Sequence, residues 1–144
     1  NTMNVSARNV FKGKITALVD GAVNAEIELT LPGSDKIVAI VTEGSVKALG
    51  LAVGKEAIAY VKAPWVMVLS GPPDVKFSAR NQLAGTVARI DKGAVNTEVA
   101  IKLAGGTTVY AVITNEAVLE LGLKEGALAS ALIKASNVIL GVAA

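Results

Sequence analysis

The sequence of 144 residues contains no cysteine and no histidine. Without a thiol there is no disulfide to staple the fold, and no thiolate to serve as nucleophile or metal ligand. Without an imidazole the Ser-His-Asp and Cys-His devices are excluded. Aromatic residues make up only 3% of the chain, too few for the stacked platforms on which single-stranded nucleic acids are bound. The formal net charge is +2, modest for a surface that grips a phosphate backbone. Long apolar runs are missing too. Residues 37–41 and 66–69 are typical, far short of the roughly 20 residues that span a bilayer, and no stretch reads as a secretory signal. Glycine-rich phosphate loops and zinc-ligand spacings are also missing. These absences lead to the expectation of a cytoplasmic protein that is not an enzyme and has neither membrane nor nucleic acid as partner.

What is present is a duplication. Ser6-Ala7-Arg8-Asn9 returns as Ser78-Ala79-Arg80-Asn81, an offset of 72 residues in a 144-residue chain. Gly21-Ala22-Val23-Asn24 returns as Gly93-Ala94-Val95-Asn96, Thr42 as Thr114, Gly50-Leu51 as Gly122-Leu123, and Lys62-Ala63 as Lys134-Ala135. An ungapped register of this kind means two copies of one folding unit in tandem. Two domains are therefore expected, 1–71 and 72–144. Units of that size bury only about 60% of their unfolded surface. With 52% hydrophobic residues and a mean hydropathy of +0.54, two half-size cores leave apolar surface to be covered by the other domain or by another subunit. A homo-oligomer follows more readily than a monomer.

Within each copy the periodicity is that of strands. Residues 5–19 predict a long strand interrupted at Gly13, where a missing side chain permits a bend. Residues 26–31 alternate polar and apolar, the mark of a half-buried strand. Pro32-Gly33-Ser34-Asp35 is turn chemistry. The β-branched run 37–41 predicts a strand covered on both faces. Thr42, Glu43, Val46, Leu49 and Gly50 then describe a two-turn helix with Thr42 as N-cap and Gly50 as its stop. Thr114, Glu116, Val118, Leu121 and Gly122 repeat the pattern. Two more strands follow, 56–62 and 66–69. A bent first strand and a helix between the third and fourth strands is the order of an OB-type five-stranded Greek-key barrel. The fold expected is all-β, with two such barrels and one short helix in each; a small sandwich of the same elements is the competing architecture.

The duplication also filters the charges. Only two positions are basic in both copies, Arg8/Arg80 and Lys62/Lys134, and only one is acidic in both, Glu26/Glu98. Asp20, Asp35, Asp74 and Asp91 fall in turns, and none is matched by an acid in the other copy, so paired-carboxylate catalysis has no repeated basis. One shared acid neutralises at most half of the shared cations, so an anionic ligand is favoured over purely internal ion pairs. Ser6 adds a hydroxyl, Asn9 an amide, Ala7 its backbone N–H, and Thr42 caps a helix start rich in free N–H groups. A tetrahedral dianion, all acceptors and no donors, suits such a set. The bland alternatives are capping for Thr42 and a glycine hairpin for Gly21, though Asn24 lies beyond what a hairpin requires.

These residues resemble a known family. Ser-Ala-Arg-Asn opening a strand, Gly-Ala-Val-Asn-Ala-Glu, Val-Thr before a short helix and Lys-Ala near the end of the copy are similar to the molybdenum-pterin-binding (Mop) domain. Two such copies resemble the two-domain molbindins of bacterial cytoplasm. The resemblance implies a homotrimer that stores molybdate or tungstate between subunits. It implies oxyanion ligands at Ser6, Ala7, Arg8 and Asn9 with Thr42, Ser45, Lys62 and Ala63. In the second copy it implies Ser78, Ala79, Arg80 and Asn81 with Thr114, Lys134 and Ala135. Ser45 is matched by Ala117, so one hydroxyl is missing there. A second anion position near the trimer axis is implied at Ala22, Val23 and Asn24 and at Ala94, Val95 and Asn96. The rival reading is a regulatory or scaffold module whose anion site is structural and signals to a protein partner.

Overall fold

The structure, a computed structural model, describes residues 8–144. The first half runs β1 (Asn9–Asp20), β2 (Asn24–Thr30), β3 (Lys36–Thr42), α1 (Glu43–Leu49), β4 (Glu56–Val61) and β5 (Met67–Ser70). The second runs β6 (Asn81–Lys92), β7 (Asn96–Leu103), β8 (Thr108–Thr114), α2 (Asn115–Leu121), β9 (Leu128–Ile133) and β10 (Ile139–Gly141). A single 3-10 turn precedes each half's last strand, Ala63–Trp65 and Ala135–Asn137. The all-β architecture and the two short helices are as expected. Thr42 and Thr114 are the N-caps, accepting from Ser45 N–H and Ala117 N–H, and Gly50 and Gly122 close the helices in the left-handed conformation at φ 63° and 62°.

Two local expectations change. Gly13 is not where β1 breaks register. The shift lies between Ile15 and Ala17, and Gly13 serves a close approach instead, because a Cβ there would strike the carbonyl oxygen of Thr30. β3 is not covered on both faces either. Ile37 and Ala39 are buried while Val38 and Ile40 are half-buried, because one face lies on the core and the other is covered in part, by the 3-10 turn Ala135–Asn137 among others.

The sheets do not divide where the repeat divides. The first is ordered β10-β4-β1-β2-β3 and the second β5-β9-β6-β7-β8, so each half supplies its last strand to the other. Ile139, Leu140 and Gly141 pair with Tyr60, Ala59 and Ile58, and Met67 to Ser70 pair with Leu132 to Ala129. Each sheet curls until its edge strands meet, β10 with β3 and β5 with β8. The two barrels share one contiguous core, with Ile15, Ile27 and Val61 from one half and Val99, Ile101 and Ile133 from the other fully buried. Each such side chain contributes about 1.5–3 kcal/mol of transfer free energy.

A pseudo-twofold relation joins the halves. Gly33 and its repeat mate Gly105 lie back to back, and a Cβ on either would strike the other's carbonyl oxygen. Beside them the Asp35 carboxylate accepts from the N–H groups of Gly105 at 3.0 Å and Thr107 at 3.2 Å. Thr107 stands where the repeat would place a second Asp35, so this clasp is made once.

Candidate functional site

The registers of the first strands gather the repeated cations. Asn9 pairs with Val61 across β1 and β4, so Arg8 and Lys62 lie opposite one another just past the ends of the strands. Asn81 pairs with Ile133 across β6 and β9, which sets Arg80 opposite Lys134 in the same way. Lys62 and Lys134 are also the residues from which the 3-10 turns spring. Ala63 and Ala135 follow with buried side chains.

Each cluster receives one acid from the other half. Arg8 donates through Nε to Glu98 Oε2 at 3.2 Å and through Nη2 to Oε1 at 3.3 Å. Arg80 donates through Nη2 to Glu26 Oε1. The single shared acidic position is thus spent on the shared arginines. Among the described residues no carboxylate lies within ion-pair distance of Lys62 or Lys134, and these lysines carry the uncompensated charge. The hydrogen bond to Glu98 holds the Arg8 guanidinium above its ordinary pKa, against an opposing effect of burial.

The clusters differ in their surroundings. The Arg8 guanidinium lies 3.7 Å from the ring centre of Tyr110, and Lys62 Nζ lies 5.6 Å from that of Trp65. Glu98 also accepts from Arg89 Nη2 at 3.4 Å, and Arg89 in turn pairs with Asp91 at 3.0 Å. None of this surrounds Arg80. The repeat mates of Tyr110, Trp65 and Arg89 are Val38, Asn137 and Ala17. A cavity of about 330 Å³ opens instead, lined by Ser78, Ala79, Arg80, Lys134 and Ala135 together with Ile40. Five of the residues expected in the second half's site therefore share one concavity, to whose lining first-half β3 contributes Ile40.

Other expected ligands are placed differently. Ser6 and Ala7 lie outside the described residues. The Asn9 and Asn81 carboxamides are buried and committed to backbone: Asn9 bonds both N–H and C=O of Tyr110, and Asn81 both those of Val38. They position the neighbouring arginines rather than project beside them. Thr42 shares a hydroxyl bond of 2.9 Å with Ser45. Thr42 stands two residues beyond Ile40 on β3, on the same face. That strand packs on the 3-10 turn Ala135–Asn137, and β8, which ends at Thr114, packs on Ala63–Trp65. Within one chain the threonine strands thus lie with the opposite cluster from the one implied, Thr42 towards Arg80 and Thr114 towards Arg8.

Ala22, Val23 and Asn24, like Ala94, Val95 and Asn96, are exposed, and Asn24 and Asn96 pair directly with Thr42 and Thr114. The loops are tied to the helix starts, with Glu43 N–H donating to Val23 C=O at 2.8 Å and Asn115 N–H to Val95 C=O at 2.9 Å. Val23 and Val95 are 71% and 70% exposed. The residues that sequence reasoning left out of the site are Glu26 and Glu98, Tyr110 and Arg89. The glutamates carried a usable signal, as the one acidic position kept in both halves. Tyr110 and Arg89 carried none, because neither is repeated.

Comparison with known proteins gives a consistent picture. The TOBE domain matches residues 5–68 and again 78–140. The molybdenum transport protein ModE of Azotobacter vinelandii is 43% identical over 98% of this chain, and the molybdenum-pterin-binding protein MopA of Rhodobacter capsulatus is also 43% identical over 98%. The chain spans about half the length of these relatives, 52% and 53%. A crystal structure of the cytoplasmic molybdate-binding protein ModG with molybdate bound superposes with a TM-score of 0.92. It is 57% identical, and the match covers 98% of this chain and 100% of that one.

Proposed function

The chain belongs to the TOBE-domain family, in tandem duplicate, and on that premise we propose that it binds molybdate and tungstate without catalysing a reaction. The resemblance read from Ser-Ala-Arg-Asn and its companions is borne out by that double match and by MopA and ModG. The observation that carries the proposal is the pairing of the two repeated cations at each junction, Arg8 with Lys62 and Arg80 with Lys134. The likeness to ModG, which holds molybdate along a chain matched end to end, supports the choice of ligand.

Charge suggests how binding is organised. After the internal ion pairs each cluster retains about one positive charge, on its lysine. While those pairs are intact, a dianion facing one cluster is only half neutralised. Cations and N–H donors from more than one cluster, brought together by a homotrimer, would complete the neutralisation, and ligand and assembly would then stabilise each other. The sites proposed are Arg80, Lys134, Ser78, Ala79 and Ala135 around the cavity and Arg8, Lys62, Ala63, Ser6 and Ala7 at its counterpart. Thr42, Ser45 and Thr114 are supplied from neighbouring β3 and β8. The exposed turns at Val23 and Val95 are assigned to an axial position. The role is molybdenum storage in the cytoplasm.

The proposal is tested by calorimetric titration with molybdate, tungstate and sulfate, together with native mass spectrometry. Uptake of molybdate at micromolar concentration by a trimer is expected. Failure to take up molybdate there would overturn the reading.

A second reading has its own observation. The chain matches a DNA-binding regulator, ModE of Escherichia coli, at 34% identity over 52% of its length. On that reading the same oxyanion sites sense the ligand and signal to a partner. Ligand-dependent change in the exposed surface, followed by hydrogen exchange, favours this reading over storage.

A further inference from the structure

We propose that Glu26 and Glu98 are built-in competing anions: each occupies an arginine that the oxyanion must use and is displaced when the ligand binds. The inference rests on the binding reading above and concerns the same sites. Its basis is the coincidence of two facts. The one acidic position kept in both halves is Glu26/Glu98, and each of these glutamates crosses to the other half to bond the one arginine position kept in both.

The geometry suits displacement. Both ion pairs are at the surface, with the arginine side chains 47% and 53% exposed and the glutamates 26% and 31%. An exposed pair of this kind is weak and screened by solvent, so a tetrahedral dianion backed by lysine, hydroxyl and N–H groups can replace the carboxylate. Each carboxylate sits on β2 or β7, and Glu26 pairs directly with Ile40 on β3, which also lines the cavity beside Arg80. A second cavity, lined by Asp20, Asn24, Glu26 and Ile40, adjoins it. Glu26 therefore stands between the two cavities and has open space into which to swing. The consequence for function is a brake. The protein gives up part of its intrinsic affinity and keeps its arginines oriented and neutralised while empty.

The test is calorimetric titration of the full chain with molybdate, comparing wild type with Glu26→Gln, Glu98→Gln and Glu26→Asp. Removal of the carboxylate is expected to tighten binding about two- to fivefold, the range that an exposed ion pair is worth, with unchanged stoichiometry. Glu26→Asp keeps the charge but shortens its reach. It is expected to tighten binding as well, which separates contact competition from a general field effect. Unchanged or weaker binding in both glutamine variants would overturn the competition, as would Glu26→Asp binding like wild type. Wild type failing to bind molybdate would instead refute the binding reading itself. Glu26→Asp, with a carboxylate still on the strand, keeps the test decisive should a glutamine variant fold poorly.

Discussion

The Asn9 carboxamide pairs with the backbone of Tyr110 as a neighbouring strand would, accepting from its N–H at 2.7 Å and donating to its C=O at 2.8 Å. Asn81 does the same with Val38, at 2.8 Å for both bonds. Each asparagine stands beside a repeated arginine, so the clamp fixes where that arginine emerges. Replacement by alanine leaves a buried N–H and C=O without partners, which costs about 1–3 kcal/mol per group. Asn9→Ala and Asn81→Ala should each lower the urea midpoint without changing its slope, and weaken oxyanion binding less than loss of the arginine does. A wild-type midpoint in both variants would remove the clamp from the account.

Gly33 and Gly105 set a sharper constraint. Gly33 has φ 87° and its Cβ position is filled by the Gly105 carbonyl, whereas Gly54, at φ 93°, has nothing within 4 Å. Gly54→Ala should cost only the strain of a left-handed alanine, about 1–2 kcal/mol. Gly33→Ala adds a collision between two backbones that belong to different halves, and more than about 3 kcal/mol is expected. Thermal denaturation of the two variants side by side checks the difference.

Much of this was legible in sequence because duplication acts as a control. The 72-residue offset located both caps, both helix-stopping glycines and both Arg–Lys pairs. What it hid was partnership. Residues 66–69 read as a strand wherever they pair, and nothing in their alternation says that they complete the other sheet. Asn9 reads as a ligand in the sequence because a polar residue in a repeated motif looks the same whether it faces solvent or a neighbouring backbone. Arg89 and Tyr110 escaped because they make the two clusters different, and a filter for sameness discards them.

The strand exchange carries its own prediction. A fragment of residues 1–71 would leave β4 without β10, exposing the backbone edge now covered by Ile139 to Gly141. Residues 72–144 alone would lose β5 from β9 in the same way. Coexpressed as separate chains, the two halves should copurify and melt as one unit. Two fragments that each fold alone, with native spectra and no mutual affinity, would show that the exchange is dispensable.

Lys62 and Lys134 should matter to binding and little to folding. Neither lies within ion-pair distance of a carboxylate among the described residues, so alanine there should leave the melting temperature nearly unchanged. A charge-assisted bond to the dianion is worth about 1.5–3 kcal/mol, so each substitution should weaken its own site by roughly 10- to 150-fold. Stability that falls in step with affinity would mean that the lysines are structural after all.

Trp65 offers a way to see one cluster at a time. It is the single tryptophan, it is partly exposed, and it lies 5.6 Å from Lys62 Nζ while Asn137 holds the equivalent place beside Lys134. An anion drawn to Lys62 changes the field at the indole and shifts the ammonium group above it, so molybdate should alter Trp65 fluorescence. The signal must come from the Arg8–Lys62 cluster alone. Arg80→Ala with Lys134→Ala should keep the fluorescence change while lowering the number of ions counted by calorimetry. Arg8→Ala with Lys62→Ala should abolish the change while ions still bind at the other cluster. If both double variants behave alike, the two clusters of one chain do not act as separate sites.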